Sequence, residues 1–461
     1  MMSHIEFDQE LIKRYDKSGP RYTSYPTAVQ FTEDYTEDDY RRHAKLSNQS
    51  DRALSLYFHL PFCDTICYYC ACNKIITKDR NKADPYLSRL HKEIEMQAQL
   101  FDQNRKVDQL HWGGGTPTFI SHNQMRELMA VTRKHFNLHD DDTGEYSIEI
   151  DPREVTTESI QLLRDIGFNR MSLGVQDFNP VVQKAVNRIQ TEDQTLNALR
   201  SARDAGFKSI SVDLIYGLPF QTVESFAATL ERIIEINPDR LSIFNYAHLP
   251  TLFKPQRRIN EDELPSPLVK LDILKMTIER LSTAGYVYIG MDHFAKPDDE
   301  LAIAQQNNLL YRNFQGYATH ADCDLIGLGI TSIGTVGRSF AQNVKTMDEY
   351  IERIDAGRLA VFRGIEIDDD DIIRRNVIMQ LICHFNLKFA DIETKNNIQF
   401  KDYFKEELKE LATMDTDGLI ELNDNEIRVT PKGRLLIRNI CMVFDRYLKK
   451  PQKDQRYSKA I

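Results

Sequence analysis

The chain has 461 residues, 41% of them apolar and 28% charged, with a formal net charge of −10. That length and apolar content suffice for one large core and a smaller one, and the negative mean hydropathy without a long apolar run argues against a membrane-spanning protein. The acidic balance argues against a general nucleic-acid binder, though it leaves room for a local basic site.

The opening residues 1–8 hold neither the basic segment nor the apolar stretch of a signal peptide. The seven cysteines are unevenly placed, which fits a reducing compartment, so a cytoplasmic location is expected. Residues 53–60 read as an aromatic strand that runs into Phe58-His-Leu-Pro-Phe-Cys63-Asp-Thr-Ile-Cys67-Tyr-Tyr69-Cys70-Ala-Cys72. Three of these cysteines follow C-x3-C-x2-C spacing, and Cys72 comes two residues later. Clustered cysteines in such a chain point to metal or redox chemistry. Three thiolates on a four-iron cluster leave one iron open for chemistry. A zinc knuckle built on Cys63, Cys67, Cys70 and Cys72 is the alternative, but Cys70-Ala-Cys72 is too short for a usual second ligand pair.

Beyond the loop, Asp84-Pro85 predicts a helix N-cap followed by proline at the first helical position, with helical periodicity over 86–100. Strands are predicted at 107–112, 145–150, 170–175, 209–215 and 241–246. Helices are predicted around 123–135, 157–166, 191–205 and 222–236. Six strand–helix units in series define an α/β fold with a parallel sheet, best described as a partial (β/α)6 barrel over residues 51–365 with an extension. Residues 366–448 read as a smaller, mostly helical domain. An acidic helix start at 368–371 leads a helix to about 385, a second helix covers 404–414, a hairpin covers 418–430, and 434–448 closes as a helix. Helices followed by a small hairpin resemble a winged helix, but nearby acidic residues argue against DNA binding. The last residues, 449–461, read as a mobile tail. Cys323, Cys383 and Cys441 stand alone and receive no function.

The polar residues of interest fall at strand C-termini, the face where barrels of this kind carry their active sites. These are the cysteine loop, Gly113-Gly-Gly115-Thr116, Glu149 and Asp151, Gln176, Asp213, and Ala247 with His248. Glycines there let backbone groups approach a ligand closely.

The cysteine spacing, with an aromatic residue before the third cysteine, resembles the signature of the radical S-adenosylmethionine (SAM) superfamily. The glycine triplet resembles its SAM-binding motif. Further stretches carry a resemblance, along nearly the whole chain, to the oxygen-independent coproporphyrinogen III oxidase family within it. Among them are Ser18-Gly-Pro-Arg21-Tyr22-Thr-Ser-Tyr25-Pro-Thr27, His111-Trp-Gly-Gly-Gly-Thr-Pro-Thr118, Glu149-Ile-Asp-Pro-Arg-Glu154, Ser172-Leu-Gly-Val-Gln-Asp-Phe178 and Arg312-Asn-Phe-Gln-Gly-Tyr317. The resemblance implies one 4Fe–4S cluster held by Cys63, Cys67 and Cys70. It also implies SAM, as two molecules, contacted by Tyr57, Tyr69, Cys72, Gly114, Gly115, Thr116, Glu149, Gln176, Arg188, Asp213, Ala247 and Ile333. Arg188 suits a ligand carboxylate, and Tyr69 suits adenine. No acid–base residue is assigned.

The implied substrate is coproporphyrinogen III, an intermediate of heme biosynthesis, with two propionates decarboxylated to vinyl groups. Residues 1–50 would then form a substrate-covering segment, with Arg21, Tyr22, Tyr25 and Arg312 as candidate substrate contacts. A flavodoxin- or ferredoxin-type electron donor, an outside terminal acceptor and a monomeric state are expected, with no membrane or nucleic-acid partner. Two alternatives differ in class: a heme-handling protein of the same superfamily without decarboxylase activity, and a metal-dependent regulator built on the C-terminal module.

Overall fold

The computed structural model describes residues 5–320 and 323–449. The chain forms two compact units, each assembled from separated segments. The larger consists of Phe31–Ile273 and Asp322–Glu366, the smaller of Met1–Gln30, Leu274–Ala321 and Ile367–Ile461. The predicted linear division therefore breaks inside the 1–50 segment, at Gln30 and Phe31.

In the larger unit all six predicted strands form: β1 (Leu54–Leu60), β2 (Lys106–Gly114), β3 (Glu145–Ile150), β4 (Arg170–Gln176), β5 (Ser209–Tyr216) and β6 (Arg240–Asn245). They pair in parallel and in sequence order. In β1 every residue but Tyr57 is buried, the signature of a parallel strand covered on both faces. Crossover helices α1 (Asp84–Ala98), α2 (His122–His135), α3 (Thr157–Asp165), α4 (Glu192–Asp204) and α5 (Val223–Ile236) return the chain. Four of the five start with a reciprocal capping box, set by Ser121 and Gln124, Thr156 and Ser159, Thr191 and Gln194, and Thr222 and Ser225. α1 departs from expectation, because Asp84 is already helical and the cap position is Ala83, with no side-chain bond. Trp112 is fully buried on β2, edge-on to Phe168 with ring centroids 4.8 Å apart.

The extension is a strand set that periodicity did not reveal. β7 (Asp324–Leu328) joins β1 in parallel on the side away from β2. β8 (Ile333–Val336), β9 (Ser339–Asn343) and β10 (Val361–Glu366) then continue the sheet antiparallel. The strand path from β6 to β10 is linear, so the barrel is partial.

A buried glutamate secures this junction. Glu93 of α1, with no exposed surface, accepts from the Tyr350 hydroxyl at 2.7 Å, Gly329 N at 2.7 Å and Asn343 Nδ2 at 2.8 Å. Burial outweighs these donors and pushes its carboxyl up to about 7. A pKa raised on folding gives stability that is full below the unfolded value and is lost as pH rises through the folded one. The chain should therefore lose about 3 kcal/mol between about pH 4.5 and 7 through this group. Chemical unfolding of the wild type and Glu93→Gln across that range checks this; identical pH slopes in the two would contradict it.

The smaller unit holds the C-terminal module. It contains α6 (Asp369–His384), β11 (Asn386–Lys388), α7 (Phe389–Asn396), α8 (Lys405–Thr416), β12 (Ile420–Leu422), β13 (Glu426–Val429) and α9 (Ile437–Met442). The expected hairpin is β12–β13, and β11 adds a third antiparallel strand on β13. The expected closing helix over 434–448 is shorter. A 3-10 turn at Arg434–Leu436 precedes the six-residue α9, and turns follow. Of the expected tail only Lys449 is described, with Nζ 2.6 Å from Glu407; residues 450–461 lie outside the described residues.

The N-terminal residues are part of this module's core. Tyr22 and Tyr25 are buried to 1% and 0% exposure. Tyr22 donates its hydroxyl to Asp445 Oδ2 at 3.0 Å, and the Tyr25 hydroxyl accepts from Arg446 N at 3.1 Å. Arg438 Nε donates to Pro20 O at 3.0 Å, and Asn439 Nδ2 to Tyr15 O at 2.7 Å.

Candidate active site

The cysteine loop leaves β1 as a short strand, Phe62–Cys63, paired in parallel with Ile75–Ile76. Between them the loop is tied down from several sides. Tyr68 N donates to Val186 O at 2.9 Å, Asn187 Nδ2 to Ile66 O at 2.7 Å, and Gln256 Nε2 to Tyr69 O at 3.0 Å. Lys74 Nζ donates to the carbonyl of Cys70 at 2.9 Å. The Tyr69 ring lies against a cluster that includes Val182, Leu218 and Tyr246.

All four loop cysteines are free thiols. Thr116 Oγ1 donates to Cys63 Sγ at 3.5 Å, and burial pushes the Cys63 thiol up to about 11. Cys67 is buried and faces two guanidinium groups, Arg188 Nη1 at 3.6 Å and Arg153 Nη2 at 3.8 Å. The Cys70 thiol, hydrogen-bonded by Cys72 and near Lys74, is shifted down, and Cys72 is shifted up by the same pairing. Among the described residues no three His, Cys, Asp or Glu side chains are placed to hold one metal ion between them. A multinuclear cluster asks for something else, thiolates spread so that each meets its own iron. Three free cysteines on a pinned loop, with hydrogen-bond donors aimed at two of the sulfurs, fit such a group.

Beside the loop, β2 ends in the glycine triplet. Gly115 N donates to Leu60 O at 2.8 Å, and Thr116 N to Phe62 O at 2.7 Å, drawing the triplet against the cysteine strand. A Cβ on Gly115 would lie 2.7 Å from the Pro61 carbonyl and Phe62 O, and Gly114 has φ +118°. Gly115→Ala is therefore expected to displace the loop backbone and weaken SAM binding at least about tenfold, since rigid backbone cannot yield as a flexible side chain can. Equilibrium dialysis under argon checks this, and unchanged affinity would place the cofactor elsewhere.

Next to the triplet, Glu149 accepts from Gly114 N at 3.1 Å and lies 3.3 Å from His111 Nε2. Burial would raise its pKa, but His111 and the Gly114 N–H hold it below the usual value. Tyr57 stacks on the His111 ring with centroids 5.8 Å apart. Its hydroxyl lies 3.2 Å from His59 Nδ1. On β5, Asp213 accepts from Ser172 Oγ at 2.9 Å, and burial pushes its carboxyl up to about 6. Two carboxylates on one sheet edge thus have pKa values pushed in opposite directions, Glu149 down and Asp213 up. Gln176 ends β4 at φ +69°. Ala247 is exposed just past β6, and Ile333, half-buried, begins β8.

Two expectations meet partners inside the protein. Arg188, expected to meet a ligand carboxylate, also pairs within the chain: Nη1 lies 3.1 Å from Asp151 Oδ2, and Nη2 donates to Gly174 O. Of the four expected substrate contacts, Tyr22, Tyr25 and Arg312 are buried in the structure. Arg312 Nε donates to Arg21 O at 3.3 Å, and its guanidinium lies 4.7 Å from the Tyr317 ring centroid. Arg21 keeps 36% of its side chain accessible and pairs with Asp292. His59, His111, Arg153 and Lys270 were not singled out from sequence. The first three sit within or beside quoted stretches, where a search for charged neighbours of the site would have found them. Lys270 gives no local signal. It lies on a helix beyond the last barrel strand, its stem against Gly217 and its Nζ 3.1 Å from Tyr246 O.

A Radical SAM superfamily model matches residues 57–233, and a HemN C-terminal domain model matches residues 367–436. A partial parallel barrel with a three-cysteine loop and a glycine cradle on its C-terminal edge defines a radical SAM enzyme. The solved coproporphyrinogen III oxidase of Escherichia coli, a radical SAM enzyme, is similar at TM-score 0.92 and 51% identity, covering 96% of this chain and 100% of that one. Oxygen-independent coproporphyrinogen III oxidases of Pseudomonas aeruginosa and Escherichia coli are 55% identical over 461 residues and 52% over 460, each covering 100% of both chains. The chain belongs to the oxygen-independent coproporphyrinogen III oxidase family.

Proposed function

We infer that this chain converts two propionate side chains of coproporphyrinogen III to vinyl groups, giving protoporphyrinogen IX in heme biosynthesis. The reading rests on the cysteine loop, which opens beside Gly114, Gly115, Glu149 and Asp213 on one sheet edge, in a chain similar end to end to oxidases of that name. The C–H bond to be broken lies on the propionate carbon next to the pyrrole and is too weakly acidic for a side-chain base. Cys63, Cys67 and Cys70 would hold a 4Fe–4S cluster, which together with SAM would supply a carbon radical able to take that hydrogen atom. Loss of carbon dioxide from the substrate then releases one electron to an outside acceptor.

The chain's own residues bind, orient and exclude water. Gly114 and Gly115 admit the ligand's backbone-facing groups, and Glu149 offers an anion to the SAM ammonium. Asp213 presents a carboxyl to ribose hydroxyls, Tyr57, Tyr69, Ala247 and Ile333 offer apolar contact, and Gln176, Thr116 and Cys72 complete the surround. Room for two SAM molecules belongs to the same proposal. Arg21 is the one accessible cation of the four candidate substrate contacts and would exchange Asp292 for a propionate. A flavodoxin- or ferredoxin-type donor, a monomeric state and a cytoplasmic location complete the reading. Among the described residues no helix is long and apolar enough to cross a membrane.

Anaerobic reconstitution with iron and sulfide, followed by reductant, SAM and coproporphyrinogen III, tests the whole. Protoporphyrinogen IX and two equivalents of carbon dioxide are expected. A protein with an intact cluster that cleaves SAM yet leaves coproporphyrinogen untouched would instead support the heme-handling alternative.

A further inference from the structure

The three candidate cluster cysteines do not have equal surroundings. Cys63 receives one neutral hydroxyl donor, Thr116 Oγ1 at 3.5 Å. Cys67 receives two charged donors from different loops, Arg188 Nη1 at 3.6 Å and Arg153 Nη2 at 3.8 Å. One carboxylate sets both arginines. Asp151 accepts from Arg153 Nη2 at 2.7 Å and Nε at 3.0 Å, and lies 3.1 Å from Arg188 Nη1. Arg153 is held from its backbone too, since its N–H donates to Asp151 Oδ1 at 3.1 Å within the 3-10 turn Pro152–Glu154. The side chains of Asp151, Arg153 and Arg188 are 9%, 16% and 8% accessible, so water screens this charge weakly. Two guanidinium cations against one carboxylate leave a net positive charge beside the Cys67 sulfur.

We propose that Arg153, oriented by Asp151, is a tuning residue for the cluster: with Arg188 it donates to the Cys67 thiolate and raises the potential at which the cluster accepts an electron. Cluster potentials follow net charge and hydrogen bonds to the sulfurs. Adding an electron increases the negative charge at the thiolate, so a nearby cation favours the reduced form. In the alternative, Arg153 only closes the turn after β3, and its loss would alter stability but not the potential.

The inference rests on the cluster assignment above, and the test separates the two. Redox titrations of the anaerobically reconstituted protein, followed by electron paramagnetic resonance without SAM or substrate, are run on wild type, Arg153→Gln, Arg153→Lys and Asp151→Asn. Arg153→Gln should hold about tenfold less reduced cluster at the same poise, equivalent to about 59 mV for a one-electron couple. Arg153→Lys, which keeps the charge, should fall between it and the wild type. Asp151→Asn removes the countercharge while its amide oxygen still accepts from Arg153, and should move the potential upward. Potentials in Arg153→Gln and Asp151→Asn equal to wild type would overturn the proposal. Should Arg153→Gln fail to keep its cluster, Arg153→Lys and Asp151→Asn decide it, and shifts in the same direction in both would also overturn it. A wild-type protein without a four-iron cluster would fail the functional reading instead.

Discussion

Replacing Cys63, Cys67 or Cys70 with alanine should each abolish the visible absorbance of the reconstituted cluster and reduce coproporphyrinogen turnover below detection. Each thiolate would hold one iron, so removing any one of them leaves the cluster a ligand short. Cys72→Ala should keep iron and sulfide at the wild-type level. Cys72 is exposed and lies outside the C-x3-C-x2-C spacing of the other three. Iron and sulfide content per chain decides the matter. Loss of iron from Cys72→Ala, or its retention in any of the other three, would sink the ligand assignment.

Deleting residues 1–30 should unfold the smaller unit. Truncating a buried aromatic costs about 3–5 kcal/mol, and both Tyr22 and Tyr25 would go. Arg438 and Asn439, both buried, would lose their acceptors at Pro20 and Tyr15. Each such orphaned donor costs about 1–3 kcal/mol. The sum approaches the whole stability of a typical domain, about 5–15 kcal/mol. The cysteine loop belongs to the larger unit, so the truncated chain should still bind iron. Limited proteolysis should cut within 367–449 at a rate that the full chain resists. A truncated protein with the full-length cleavage pattern and unfolding temperature would contradict this packing role.

The parallel strands were legible because each is a short apolar run closed by glycine, proline or a polar residue and followed by a helical period. The site was legible for the same reason: a motif at a strand's end inherits its position from the strand. Residues 324–366 gave no such signal, since β7 and β9 are buried at every position and their runs could equally be core loops. The segment from Arg21 to Tyr25 was ambiguous for a chemical reason. A cation beside tyrosines and prolines reads alike whether it faces a ligand or a core, and only burial separates the two. Glu93 was silent because a buried carboxylate in a helix is written with the same letter as a solvated one.

The interleaved make-up of the smaller unit constrains how the chain can be made. Tyr22 meets its partner Asp445 across 423 positions of sequence. At a synthesis rate of about 5–20 residues per second, roughly 20 to 85 s pass between the emergence of the two. Through that interval the first thirty residues have no C-terminal module to pack on, and they expose Ile12, Tyr15, Tyr22 and Tyr25, all buried in the finished fold. The larger unit is complete once Glu366 has left the ribosome, so the loop for the cluster can take shape while the smaller unit still lacks its last 95 residues, 367–461. Cells making this protein should therefore hold a nascent chain with a finished partial barrel and a sticky leader, a natural client for chaperones until the final helix arrives.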